Sequence, residues 1–383
     1  MAVRELPEEL IEIILSKLPV KSLLRFKCVR KSWYSLIKSP HFIDLHLRGR
    51  SSAGSKYDYL ILRRFLEQHH NRHVLSFYSY ETLDDFCIDI GTPFSMREEF
   101  VNVSGPCNGL LCITNYREIF ICNPATREFR SLVVPPLFGP DKMTHETYSV
   151  AFGLDPVTGD YKVVRIVVHY YVVDDEDCYP DDPDAIVVRK LEVYDFTSDS
   201  WREPSIVLPD PFCCHSGHGI SLNGAFHWHL RLGHGGESVL SFHISNEVTQ
   251  LIPLPEFCSR QHPRLRNLDV LNESLALIVY DRDQRYEIWV MTEYGVKESW
   301  TRLFELGPLS GIQFPLTFWK NDELLLQTNN RQLVSCNLQH QNIKRFPIYA
   351  VTSLRGTIPF FGVVPYSESL ISVYAINVKD EFA

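Results

Sequence analysis

No apolar run in these 383 residues reaches the roughly 20 positions that a membrane-spanning helix needs. The greasiest stretch, "YKVVRIVVHYYVV", is broken by Lys162, Arg165 and His169. A secretory leader is lacking as well, because Arg4, Glu5, Glu8 and Glu9 interrupt any apolar region at the start. The chain is therefore expected in the cytoplasm, or also the nucleus, with its ten cysteines reduced. A basic excess is missing too: 38 Lys and Arg face 47 Asp and Glu, which argues against a nucleic-acid partner. Absent also are a Gly-x-Ser-x-Gly elbow, a phosphate-binding Walker loop and a dinucleotide fingerprint. No pair of carboxylates sits in an apolar run that would shift a pKa for acid–base work. Beyond residue 50, segments of helical period almost disappear. Together these gaps lead us to expect a protein that is not an enzyme and uses no membrane and no cofactor.

One cluster looks chemical at first sight. "CCHSGH", 213–218, brings Cys213, Cys214, His215 and His218 together, with His227, His229 and His234 downstream. Zinc sites space their ligand pairs by two to four residues and need two such pairs. Adjacent cysteines fit that rule badly, and His227 and His229 are two apart on a predicted strand. Buried thiols and turn histidines are the expected reading, with no metal. Trp228, Trp289 and Trp319 are expected to pack between strands rather than line a sugar site.

What the chain does have begins at residue 6. In "LPEELIEIILSKLPVKSLLRFKCVRKSW", Leu10, Ile11, Ile14 and Leu18 recur at helical spacing. Pro7, Glu8 and Glu9 suit a helix start, and Pro19 disfavours helical geometry at the residue before it. A second helix is expected from about Lys21, and a third through "KSWYSLI", ending before Pro40. So small a bundle cannot hide all of Leu10, Ile13, Ile14, Leu15, Leu18, Leu23, Leu24, Phe26, Val29 and Trp33. Each such side chain left in water forfeits about 1.5–3 kcal/mol, so the segment either caps the rest of the chain or docks on a partner. Leu6-Pro7, Ile14, Leu18-Pro19, Leu23, Leu24, Cys28-Val29 and Trp33 resemble an F-box in their spacing. The resemblance covers residues 3 to about 43, with Arg30 where many plant members carry Ser. It implies binding to the Skp adaptor of a cullin-RING ubiquitin ligase, through Leu6, Pro7, Ile11, Ile14, Leu18, Pro19, Leu23, Val29 and Trp33.

A small-residue, basic stretch, "RGRSSAGSK", 48–56, reads as a linker. After it come short runs of period two, rich in Val, Ile, Tyr and Phe: "YDYLILRRF", "HVLSFYSY", "EIFICN", "KLEVYDF", "AFHWHL", "VLSFHIS", "SLALIVYD", "YEIWVMT", "ELLLQT" and "QLVSCNL", besides the "YKVV" run. A unit of strand, polar turn and large apolar residue recurs, anchored at Phe86, Phe129, Trp201, Leu251, Trp300 and Phe346. The spacing is near 45–50 residues except for one long step, and that period is a propeller signature. Six anchors give about six blades, with "GTIPFFGVV" or "SLISVYAINV" expected to complete the ring. The long step holds "DDEDCYPDDPD", 174–184, whose Asp174, Asp175, Glu176, Asp177, Asp181, Asp182 and Asp184 make seven carboxylates in eleven positions.

Residues 1–50 carry ten Lys and Arg against five Asp and Glu, a net of +5; with −9 for the whole chain, the rest carries −14. The acidic loop must project into water, where it would attract a basic protein; it is the candidate substrate-binding segment. "CNPATREFRSL", "VYDFTSDSWRE", "NGAFHWH", "YEIWVMTEYGVKESWTRLF" and "PLTFWKNDELLL" resemble the F-box-associated domain of plant F-box proteins, closest to the S-locus F-box and S-locus F-box-like group. That resemblance implies capture of a basic S-RNase for ubiquitination in self-incompatibility, with the cullin and RING subunit reached through the adaptor. The architecture expected is thus α+β and multidomain: a three-helix F-box over 1–47, a linker over 48–56, and a β-propeller-like substrate-recognition domain over 57–383.

Overall fold

The computed structural model describes residues 6–51, 57–66, 72–83, 86–94, 101–115, 117–134, 143–171, 187–209, 212–214, 218–233, 236–255, 265–320, 322–350 and 362–374. Four helices come first: α1 (Glu8–Ser16), α2 (Val20–Phe26), α3 (Lys31–Lys38) and α4 (Pro40–Ser51). Both prolines of the Leu-Pro pairs stand directly before a helix, with extended ψ angles of 144° at Pro7 and 148° at Pro19. The Pro7 carbonyl accepts the N–H groups of Leu10 and Ile11.

The fourth helix corrects the three-helix expectation. Pro40 stops α3, and a proline is equally suited to a first helical turn. Ser39 supplies the cap, its Oγ accepting the Phe42 N–H at 3.2 Å. The helix reaches into the first part of the 48–56 stretch read as a linker; residues 52–56 lie outside the described ones.

Among the described residues twenty-five strands follow, in six sheets. The first sheet holds β1 (Tyr59–Leu66), β2 (Arg72–Ser79) and β3 (Phe86–Gly91); the second, β4 (Asn102–Cys107), β5 (Leu110–Thr114), β6 (Ile119–Asn123) and β7 (Glu128–Leu132). The third has β8 (Met143–Leu154), β9 (Tyr161–Tyr171), β10 (Val187–Asp195) and β11 (Ser200–Arg202). In the fourth, β12 (Phe212–Cys214) and β13 (Ile220–Leu222) share one side of β14 (Ala225–Leu232), followed by β15 (Glu237–His243) and β16 (Thr249–Pro253). The fifth is β17 (Leu265–Leu271), β18 (Ser274–Tyr280), β19 (Tyr286–Met291) and β20 (Trp300–Leu306); the sixth, β21 (Ile312–Trp319), β22 (Glu323–Thr328), β23 (Gln332–Asn337) and β24 (Ile343–Tyr349). Finally β25 (Gly362–Tyr366) pairs antiparallel with β1, Tyr366 opposite Tyr59, and gives the first sheet its fourth strand.

These sheets are the six blades of a propeller. The innermost strands β25, β4, β8, β13, β17 and β21 each adjoin the next around the ring. Six apolar clusters fill the six gaps between neighbouring blades. Phe226, Trp228 and Phe242 face Val164, Ile166 and Leu191 between the third and fourth; Leu60, Leu62 and Tyr78 face Trp319, Leu325 and Phe346 between the sixth and first. Each blade is sandwiched, so its middle strands are buried on both faces, as the unbroken burial along β5 and from Leu275 to Val279 of β18 shows. The six anchors Phe86, Phe129, Trp201, Leu251, Trp300 and Phe346 all fall in outermost strands. Of the two segments expected to complete the ring, the end of "GTIPFFGVV" does so; Leu370, Ile371 and Val373 of the other pack instead against the helices and the second and third blades.

Candidate functional site

Two surfaces are set up by this arrangement, one on the helices and one on the far end of the propeller. The helical module has a small core of Leu15, Val20, Leu23, Ile37 and Phe42. Propeller residue Leu370 completes it, with Ala125 of the β6–β7 turn at its margin. The Val20 N–H donates to Glu368 Oε2 at 3.0 Å, and His46 Nε2 lies 3.0 Å from the Leu18 carbonyl oxygen. One side of the module is thus committed to the propeller.

The other side is bare and apolar. Leu6, Leu10, Ile13, Ile14, Val29 and Tyr34 are all large hydrophobic residues about half exposed or more. Of the nine residues expected to meet an adaptor, Leu6, Pro7, Ile14, Pro19 and Val29 are exposed. Ile11, Leu18 and Trp33 are half-buried against the module's core, Trp33 held by Phe26 at 5.4 Å and Arg30 at 5.2 Å. Leu23 has no exposed surface; it supports the face from within. Leu10, Ile13 and Tyr34 join the exposed face without having been assigned to it. Their sequence signal was the surplus of apolar residues, which does not say which of them face outward.

The second surface follows from strand direction. Ala125 puts the turns joining third to fourth strands at the helical end of the ring, so the connections from second to third strands leave the opposite end. The seven carboxylates of 174–184 lie between β9 and β10, in one of those connections, and are outside the described residues. The strands that carry it are the long ones, 11 residues in β9 and 9 in β10.

No group of three metal-capable side chains occurs among the described residues. His227 Nε2 lies 2.6 Å from Tyr294 Oη, and burial pushes its pKa down to about 4. His229 Nε2 lies 3.3 Å from Glu237 Oε2. Burial pushes the thiols of Cys107 and Cys336 up to about 12 and about 11, opposite to what a nucleophilic thiolate needs. Trp228 and Trp319 are buried between blades and Trp289 is half-buried there, as expected.

A partly buried charge cluster joins the third and fourth blades. Lys162 Nζ lies 3.1 Å from Asp155 Oδ2, 3.5 Å from Glu247 Oε1 and 3.7 Å from Asp195 Oδ1, and Arg202 pairs with both Asp195 and Glu247. Hydrogen bonds from Ser245 and the Val157 N–H hold the Asp155 carboxyl well below the usual range against its own burial. Two cations against three carboxylates make an interblade clamp.

Comparison with known proteins matches the F-box domain over residues 4–45 and the F-box associated beta propeller domain over residues 60–370. The F-box protein CPR1 of Arabidopsis thaliana is 29% identical over 368 residues, covering 90% of this chain and 84% of that one. An F-box/kelch-repeat protein of the same plant is 28% identical over 334 residues, covering 84% of each. Among solved structures, TolB from Acinetobacter baumannii aligns with a TM-score of 0.45 at 9% identity, over 81% of this chain and 70% of that one.

Proposed function

Because this chain belongs to the F-box proteins that carry an F-box associated β-propeller domain, we propose that it is the substrate-recognition subunit of a Skp–cullin–F-box ubiquitin ligase. The observation that carries the reading is the bare apolar face of the helices, which the propeller leaves uncovered while holding the module by its other side. The Skp adaptor would cover that face and connect to the cullin and RING subunit. Ubiquitin transfer belongs to the other subunits; this chain contributes proximity and orientation of the target. The complex would work in the cytoplasm, or also the nucleus.

The target is a protein held at the far end of the ring. A basic S-RNase is the specific candidate, supported by the S-locus F-box resemblance, by the −14 charge of residues 51–383 and by the seven carboxylates. The alternative is an S-locus-like paralogue with another protein target, or a chain that uses the adaptor without ubiquitination; turnover of the captured protein in a reconstituted ligase separates the last from the rest.

Replacing Leu6 and Pro7 together with Ala tests the docking. Each truncated anchor at such a face costs on the order of 2 kcal/mol, so pull-down of the adaptor should be lost while the propeller melts as before. Undiminished pull-down would sink the reading.

A further inference from the structure

Past Tyr366 the chain leaves β25 and crosses the helical end of the ring as a strap, residues 367–374, with neither helix nor strand. The second blade fastens it. Asn123 Nδ2 donates to the carbonyl oxygens of Ser369 at 2.9 Å and Ile371 at 2.7 Å. The Val373 N–H donates to Glu128 Oε2 at 3.0 Å, and Val373 has no exposed surface. Gly109, at φ 74°, makes room for the strap, since a Cβ there would collide with Ser369. The strap therefore moves with the ring, and whatever it grips is held to the ring.

What it grips is the helical module. Leu370 is 4% exposed and completes the core of Leu23, Ile37 and Phe42. Helix α2 starts after Pro19 with no side-chain cap of its own, and the first N–H groups of a helix have no partner inside it. Glu368 Oε2 accepts the N–H of Val20 at 3.0 Å from 348 positions away in the chain. A carboxylate at a helix N-terminus also meets the positive end of the dipole.

The other end of α2 has a tie as well. Burial and the neighbouring Lys38 lower the pKa of Lys27, and the Glu128 carboxylate of β7 acts against both. That carboxylate is the one that holds the strap at Val373. A single tie would let the module swing. Ties at both ends of one helix, with a side chain locked in the core, resist tilt as well as separation.

We propose that the strap is the positioning element of the receptor: through Glu368 and Leu370 it holds the helices, and the adaptor on their bare outer face, at one angle to the far end of the ring. A target at that end would be presented to the transferring subunits at one distance instead of many, which raises its effective concentration there. Glu368 and Leu370 lie on neither the adaptor face nor the target end, so they act through the geometry they impose. The inference rests on the substrate-receptor reading above.

The test uses the full chain bound to its adaptor, with azide-bearing residues introduced at Asp44 in α4 and Asp283 in the β18–β19 connection, both exposed. Nitroxides coupled to them report a distance distribution by pulsed electron paramagnetic resonance. It should be narrow for the native sequence and for Glu368→Gln, which keeps an acceptor oxygen, and broad for the double variant Glu368→Ala/Leu370→Ala. Glu368→Ala alone leaves the core filled and should broaden it less. Adaptor affinity should be unchanged throughout. For transfer, biotin coupled at Asp283 alone loads streptavidin there as a surrogate target. The reconstituted ligase should modify it about tenfold more slowly with the double variant, because effective concentration falls as a tether loosens. Equal widths, or a broadened distance with unchanged transfer, would overturn the proposal. So would loss of adaptor binding in step with the broadening, which would make the strap a support for the module's fold. Absence of transfer with the native sequence, adaptor bound, would count instead against the receptor reading, which the distance measurement does not touch.

Discussion

At the residue scale, burial separates supports from contacts. Leu23 and Ile14 belong to one sequence pattern, yet Leu23 is fully enclosed and Ile14 is 52% exposed. Leu23→Ala should therefore cost about 2–5 kcal/mol of stability and melt the helices early. Ile14→Asp should leave melting nearly unchanged while abolishing adaptor capture. Helical circular dichroism on heating, beside a pull-down, checks both; equal melting of the two variants would contradict the core assignment. A second residue behaves unexpectedly for its type. Asp269 accepts the N–H groups of Val270 at 2.7 Å and Phe318 at 3.0 Å, tying β17 to β21. Burial nevertheless pushes its pKa up to about 6, above the roughly 3.9 of an unfolded chain. The fold thus favours the protonated form. Its contribution is complete below about pH 4 and is lost as the pH rises through about 6. Asp269→Asn keeps one acceptor oxygen but turns an NH2 group toward one of the two N–H donors, so it should lower stability near pH 4 by about 1–3 kcal/mol and by less at neutral pH, where it also removes the buried charge. Thermal melts at both pH values check this, and an unchanged melting temperature near pH 4 would refute it.

At the element scale, the strands that announce themselves are the middle ones. All eleven runs picked out by alternation and β-branched content fall on second or third strands of blades. Those strands are buried on both faces, as in β15 and β22, so selection fills them with apolar residues. Innermost strands such as β4, "NVSGPC", and β21, "IQFPLTFW", carry Gly, Pro and polar groups near the axis, and outer strands such as β24 alternate with solvent. Both are faint in a sequence. Helix α4 was hidden because Pro40 serves as an end and a beginning at once. The strand with the largest consequence is β25, which supplies five residues to the first blade across a gap of almost the whole chain. Val364 and Tyr366 pack into the core between the first two blades. Deleting 357–383 opens the ring and exposes both neighbouring cores, so the whole propeller should melt at lower temperature in calorimetry. Loss confined to the chain end, with the main transition unmoved, would show that the ring does not depend on it.

At the scale of the whole molecule, the proposed function gives opposite ends of the propeller different tasks. The helices sit against one end; the connection bearing seven carboxylates leaves the other. Converting Asp174, Asp175, Glu176, Asp177, Asp181, Asp182 and Asp184 to Asn or Gln should slow association with a basic target several-fold at low salt. It should do so much less at physiological ionic strength, where exposed charges are screened beyond roughly 8 Å. Adaptor binding should be untouched. Stopped-flow association at two salt concentrations reads this, and an unchanged low-salt rate would leave the carboxylates as a solubility device.

The sequence by itself determined the order of parts: a helical opening, then a β-rich repeat with six anchors and one acidic insertion. It could do so because helical and strand periods, turn residues and charge are local properties of neighbouring positions. Only the tertiary structure decided which apolar residues of the helices are core and which are free, since Leu23 and Ile14 differ in what packs on them and not in type. It also decided that a strand near the end of the chain closes the first blade. Pairing between distant strands depends on where the ring brings its ends, and no local pattern encodes that.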